Sequence, residues 1–159
     1  MESLEEYFKT QAGQDVKKRA AAVFVLAEDA NVLGYYTLSS YSIEPGELPP
    51  DLARRFPSYP KLPAVLIGRL ARDQKYKGRG IGEILLVDAL RRCLENTATV
   101  GAIAAVVEAE NGKARNFYLG YGFIPFPDHE NKLFMLMGTI RQALSEHAGR
   151  NKSQARQSY

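Results

Sequence analysis

Lys75-Tyr76-Lys77-Gly78-Arg79-Gly80-Ile81-Gly82 is the stretch on which the fold turns. Upstream lies a short aliphatic run, Ala64-Val65-Leu66-Ile67-Gly68-Arg69-Leu70-Ala71, introduced by Pro63 and of strand length. Downstream, Ile81, Leu85, Val87 or Asp88, and Leu90 recur at helical spacing, with Ile84, Ala89 and Cys93 widening the apolar face. The order is therefore strand, glycine-rich turn, helix.

That order makes an anion site. The first turn of a helix exposes unpaired backbone N–H groups, and the helix dipole adds partial positive charge there. Gly78, Gly80 and Gly82 let the backbone come close to a bound anion, since no Cβ intervenes. This spacing suits a pyrophosphate cradle, and Lys75, Lys77 and Arg79 add full positive charges. The dinucleotide fingerprint does not fit, because the third glycine comes one position too early. The nucleotide P-loop does not fit either, for lack of Gly-Lys followed by Ser or Thr.

Length and composition bound the rest. A chain of 159 residues has one-domain length and buries about two thirds of its unfolded surface. The single cysteine, Cys93, excludes an internal disulfide framework and a cysteine-based zinc site. Its place on the apolar helix face makes it a buried structural thiol rather than a nucleophile. No metal is expected. No run is long enough to span a bilayer, and the acidic, polar start is no signal peptide. A cytoplasmic protein with no membrane partner is the expectation. The net charge of +3 is mild, yet basic residues come in groups: Lys17-Lys18-Arg19, Arg54-Arg55, Arg69 with Arg72, and Arg91-Arg92. Such groups suit a polyanionic partner; solvated helix faces carry them equally well.

Taken in order, residues 4–8 begin a short helix and Asp15 caps a second, basic one through residue 20. Ala22-Val23-Phe24-Val25-Leu26 reads as a strand, Asp29-Ala30-Asn31 as a turn, and Val32-Leu33-Gly34-Tyr35-Tyr36-Thr37-Leu38 as the hairpin partner. Residues 39–62 read as a proline-stiffened loop, with one or two helical turns over residues 51–56. The loop lines a substrate mouth or serves as a plain connector; the sequence does not choose. The helix after the glycine turn fades around residues 96–99. Ala102-Ile103-Ala104-Ala105-Val106-Val107 reads as an interior parallel strand. Residues 111–119 form a helix, and Leu133-Phe134-Met135-Leu136-Met137 a last strand. Residues 1–144 form a single domain. Residues 145–159 are polar, basic and without apolar period, and are expected to be disordered.

Two motifs now stand together. The glycine turn resembles the coenzyme A-binding turn of GNAT N-acetyltransferases, Arg/Gln-x-x-Gly-x-Gly/Ala. Gly78 and Gly80 match it, while Lys75 stands for the usual Arg or Gln, keeping charge but losing planar hydrogen bonding. The segment from Asn111 through Ala114, Phe117, Tyr118 and Gly122 to Phe123 resembles the second signature, Asn-x-x-Ala-x-x-Phe-Tyr-x-x-x-Gly-Phe, at every named position. The resemblance covers residues 23–137. It implies an α/β fold: a mixed central sheet flanked by helices, with splayed central strands that bind acetyl-CoA. It implies that Leu70, Ala71 and Arg72 run along the pantetheine arm, with a backbone N–H near Leu70 as oxyanion donor. Lys75, Lys77 and residues 78–82 (Gly78, Arg79, Gly80, Ile81, Gly82) would hold the pyrophosphate. Asn111, Ala114 and Phe117 would line the cofactor, and Tyr118 would serve the leaving thiolate as general acid. Phe117 doubles as a core candidate. Glu108 is a candidate base but reads better as a solvated strand-end acid.

The opening Leu4-Glu5-Glu6-Tyr7-Phe8-Lys9-Thr10-Gln11-Ala12, Ile67-Gly68-Arg69-Leu70-Ala71 and Arg115-Asn116-Phe117-Tyr118 are further similar to the toxin branch of that family. The resemblance implies acetylation of the amino group of aminoacyl-tRNA, a block of translation and a ribbon–helix–helix antitoxin. Lys17, Lys18, Arg19, Arg69 and Arg72 are then candidates for the RNA surface. An aminoacyl ester amine is weakly basic and needs no dedicated base. Acetyl transfer to a small-molecule or protein amine is the alternative. The branch usually carries one more strand ahead of the first helix, so either the first strand is missing here or the chain is shortened, and a partner or a homodimer would replace a lost edge.

Overall fold

The computed structural model describes Lys18 and residues 20–156, the last six of these as backbone alone. The helices expected over residues 4–8 and 15–20, and any strand before them, fall almost wholly outside the described residues.

Among the described residues six strands form one mixed sheet: β1 (Ala22–Glu28), β2 (Asn31–Ile43), β3 (Leu62–Arg72), β4 (Ala104–Glu108), β5 (Ile124–Pro125) and β6 (Lys132–Leu136). Their order across the sheet is β1-β2-β3-β4-β6-β5. Only β3 and β4 run parallel; the other neighbours are antiparallel. Among the described residues four α-helices accompany them: α1 (Pro50–Ala53), α2 (Ile81–Asn96), α3 (Gly112–Gly120) and α4 (Met137–Arg156).

Local chemistry explains the elements. Asp29 turns β1 into β2 at φ 55°, a left-handed conformation that Asp tolerates. β4 has Ala104, Ala105, Val106 and Val107 all buried, because both faces of this interior strand are covered. One face packs on α2, α3 and α4 through Tyr36, Ile67, Val107, Leu133 and Met135. The other holds a smaller core of Ile43, Leu62, Val106, Phe126 and Phe134.

Three expectations are corrected. β2 continues to Ile43 instead of ending at Leu38, since Tyr41 and Ile43 alternate inward between exposed or half-exposed serines. On α2, Leu86 is buried and Ile84 is 48% exposed, for Ile84 stands roughly 150° round the helix from the centre of the buried face. The tail expected to be disordered from residue 145 is instead the second half of α4, up to Arg156. Met137 and Ile140 anchor its first turns in the core, with Leu144 packed against it. Glu, Ala, Arg, Lys and Gln then let the helix propagate. Gln142 donates to Glu146 at 3.4 Å and the Ser145 hydroxyl to the Arg141 carbonyl at 2.9 Å.

Candidate active site

β3 and β4 part company halfway along. Their parallel pairing covers Val65↔Ala105, Leu66↔Val106 and Ile67↔Val107 and stops there. β3 runs on to Arg72, paired with β2 alone among the described residues: Leu70 stands opposite Tyr36, Ala71 opposite Tyr35, Arg72 opposite Gly34. The backbone of residues 68–72 therefore presents its β4-side polar groups to an open cleft.

A bulge makes the split. Between Tyr36↔Leu70 and Leu38↔Ile67, two residues of β3, Gly68 and Arg69, oppose one residue of β2, Thr37. The extra residue turns the strand away from β4. Thr37, itself buried, holds the bulge: its Oγ1 accepts from the Arg69 N–H at 3.0 Å. Gly68 is needed because a Cβ there would stand 2.9 Å from the same oxygen. Gly34 is needed too, since its Cβ would meet the Ala71 carbonyl at 2.7 Å and Leu85 at 2.8 Å. That close approach lets α2 lie directly over the split.

The cradle closes one end of the cleft. Gln74–Tyr76 form a single 3₁₀ turn whose cap, Asp73, accepts from the Lys75 N–H at 2.9 Å. Gly78 at φ 86° and Gly80 at φ 71° follow, and a Cβ at either would meet nothing within 4 Å. Gly80 is the N-cap of α2, and Ile84 donates the first helical bond, to the Gly80 carbonyl at 3.1 Å. The N–H groups of Ile81, Gly82 and Glu83 precede that bond and point out of the helix end. Open space, left-handed glycines and unused donors fit a coenzyme pyrophosphate. Lys75 and Lys77 are exposed beside it. The Arg79 guanidinium pairs with Glu28 at 3.1 Å and lies 5.4 Å from the Tyr76 ring centre, tying the turn to the end of β1.

α3 supplies the other wall. Asn111 is its N-cap, accepting from the Ala114 N–H at 2.9 Å; the amide Nδ2 donors are not used by this cap. Phe117 reaches across to α2, its ring 3.6 Å from where a Gly82 Cβ would be. Tyr118 is buried, edge-on to Phe117 and to Phe123 at 5.4 Å each. Burial first, and the charge of Glu110 second, push its hydroxyl up to about 12. Leu70 packs against the same core that contains Tyr118. Glu108 ends β4 in solvent, opposite Lys132 in the ladder.

Leu70, Ala114, Phe117 and Tyr118 pack in one core, and Phe117 reaches Gly82 of the glycine turn, while Ala71 and Arg72 lie farther along β3. Arg69 is exposed beside the bulge. Lys18 is exposed, and Lys17 and Arg19 lie outside the described residues. Sequence reading missed Thr37, Gly68 and Gly34, whose roles exist only between strands. Their signal was present: a glycine inside each strand pattern.

The family model for the acetyltransferase (GNAT) family matches residues 1–123. This chain belongs to the GNAT acetyltransferase family. A tRNA-acetylating toxin of Mycobacterium tuberculosis (strain ATCC 25618 / H37Rv) is 33% identical over 144 residues, covering 91% of this chain and 86% of the relative. A solved structure of AtaT complexed with acetyl-methionyl-tRNAfMet matches at 31% identity and TM-score 0.81, over 89% of this chain and 86% of that one. A mutant AtaT toxin bound to the C-terminus of the antitoxin AtaR and acetyl-CoA matches at 29% identity and TM-score 0.75, over 91% and 85%. As a GNAT enzyme this chain takes acetyl-CoA as its donor.

Proposed function

We propose that this GNAT enzyme moves the acetyl group of acetyl-CoA to the amino group of an aminoacyl-tRNA, and so acts as a toxin that blocks translation. The observation that carries the reading is the split between β3 and β4 beside the glycine cradle. The glycine turn touches Phe117; Leu70 and Tyr118 share one core beside the split; and the similar proteins described above include a tRNA-acetylating toxin and a toxin complexed with an acetylated aminoacyl-tRNA. The cytoplasm, where charged tRNA is found, is the place of action. Among the described residues no helix is long and apolar enough to cross a membrane. An antitoxin that binds and silences the enzyme belongs to the same reading.

The residues divide the work. Backbone donors at residues 78–83 orient the pyrophosphate. The exposed edge of β3 near Leu70 offers an N–H to the developing oxyanion, and such donors typically contribute about 3 kcal/mol. Asn111 keeps Nδ2 for the pantetheine amides. Tyr118 helps the thiolate leave. With its hydroxyl near 12, full transfer of its proton to a thiolate of ordinary pKa is uphill by about 5 kcal/mol. Tyr118 therefore acts chiefly by donating a hydrogen bond to the departing sulfur. A weakly basic aminoacyl amine is already neutral near pH 8, so Glu108 has no required role.

The test is acetyl transfer from labelled acetyl-CoA to total charged tRNA. Label on the aminoacyl group is expected, with turnover of Tyr118→Phe lower by about 10²-fold and its KM for acetyl-CoA near wild type. Label on free amines or protein but none on tRNA would replace this acceptor with a small-molecule or protein amine.

A further inference from the structure

Tyr121 is held firmly, yet neither the core nor the motifs account for it. It is the C-cap of α3, 37% exposed, and part of neither core described above. It falls on an open position of the second signature, just before Gly122, so the family resemblance assigns it nothing. Two partners fix its ring. Phe117 lies edge-on, with 5.0 Å between ring centres and 63° between planes. The Tyr121 hydroxyl donates to the Glu83 carboxylate; burial first, then the charge of Glu83 and that hydrogen bond, raise the hydroxyl above its ordinary value.

Both partners belong to the cradle. The Phe117 ring comes within 3.6 Å of where a Gly82 Cβ would stand. Glu83 carries one of the three N–H groups that open at the α2 N-terminus. The exposed ring of Tyr121 therefore stands one side chain away from the pyrophosphate donors, and outside the core that holds Leu70 and Tyr118.

We infer that Tyr121 is a stacking platform for the adenine base of acetyl-CoA. The inference deepens the donor half of the function above. It rests on the cradle as the pyrophosphate site, and it holds whichever amine accepts the acetyl group. The chemistry of the donor selects the ligand. Its pantetheine arm leaves one phosphate toward the split, where the thioester must meet Leu70 and Tyr118. Its adenosine leaves the other phosphate, away from that core, and ends in a flat aromatic base. An exposed ring beside the cradle offers such a base a face to stack on. A ring already immobilised by Phe117 and Glu83 loses little freedom when the base arrives.

Titration calorimetry with CoA, and with 4′-phosphopantetheine, which lacks the adenosine, tests it on wild type, Tyr121→Ala and Tyr121→Phe. Tyr121→Ala is expected to weaken CoA about tenfold and to leave 4′-phosphopantetheine at its wild-type Kd. Tyr121→Phe keeps the ring and should hold CoA near the wild-type Kd. The adenine H2 and H8 resonances of CoA should move upfield on binding to wild type and to Tyr121→Phe, and lose that shift on Tyr121→Ala. An unchanged Kd for CoA in Tyr121→Ala would overturn the platform. Equal losses for both ligands would overturn it too, by marking a displaced α3. So would a Tyr121→Phe variant as weak as Tyr121→Ala, which would assign the effect to the Glu83 hydrogen bond. Failure of the wild type to bind either ligand would overturn the cradle, and the platform with it. Failure to label tRNA, with CoA bound as expected, would overturn the acceptor reading and leave the platform standing.

Discussion

Gly80 concentrates the donor chemistry in one residue. Its φ of 71° is a conformation that costs any Cβ-bearing residue about 1–2 kcal/mol, and the empty space around its missing Cβ is where a phosphate would approach. Gly80→Ala is expected to cost about 1 kcal/mol of stability. The same change displaces a phosphate contact and raises KM for acetyl-CoA about tenfold, an effect of roughly 1.4 kcal/mol. KM for acetyl-pantetheine, which has no phosphate, should not move. Steady-state kinetics with both donors checks this; equal changes for the two would remove Gly80 from the cradle. At this scale the sequence was legible wherever a candidate motif is local. The glycines in one stretch, and Asn111 and Tyr118 in another, stand out by spacing. The Arg79–Glu28 pair joins residues 51 apart, and no local pattern encodes it.

Elements set the geometry of the cleft, and two interactions hold them. The bulge at Gly68 and Arg69 steers β3 away from β4. A clamp then fixes α2 above it. The buried Tyr36 hydroxyl donates to Asp88 of α2, and Arg92 donates to the same carboxylate oxygen at 3.3 Å. The Arg92 guanidinium lies 4.1 Å from the Phe24 ring centre, and Phe24 stacks on Tyr36 at 5.1 Å. β1, β2 and α2 are thus locked by one network, and burial with the Asp88 hydrogen bond pushes the Tyr36 hydroxyl well above its ordinary value. Tyr36→Phe leaves Asp88 with Arg92 alone and should cost about 1–2 kcal/mol. Urea denaturation should show a lower midpoint at unchanged slope, with turnover preserved. A changed slope would mean that α2 had come loose altogether. Strand and helix types were legible because β4 is uniformly apolar and α2 keeps a 3.6-residue period. Lengths were less so. The serines of β2 hide its second half, and α4 outruns its apolar period because helix propagation needs only good formers once the first turns are anchored.

The whole molecule responds to alkaline pH through its buried acids. Cys93 is fully buried on the inner face of α2, and desolvation raises its thiol from 9.0 to about 12; Tyr118 rises from 10.0 to about 12, chiefly by burial. Below pH 9 the Cys93 thiol is protonated in folded and unfolded chains alike and adds no pH dependence. Above pH 9 the unfolded chain releases that proton and the folded chain does not. The unfolded state then binds fewer protons, and stability falls by up to about 1.4 kcal/mol per pH unit for this group. Tyr118 joins above pH 10. The fall should continue until the folded values near 12 are passed. Cys93→Ala removes the earliest contribution. The variant should be less stable at pH 7 by about 1 kcal/mol, from lost packing. Between pH 9 and 10, however, its stability should decline less steeply than wild type, so the two curves converge. Urea unfolding at half-unit steps from pH 7 to 10.5 measures both curves under reducing conditions. Parallel curves would mean that Cys93 meets solvent before global unfolding, and that the apolar face of α2 opens on its own.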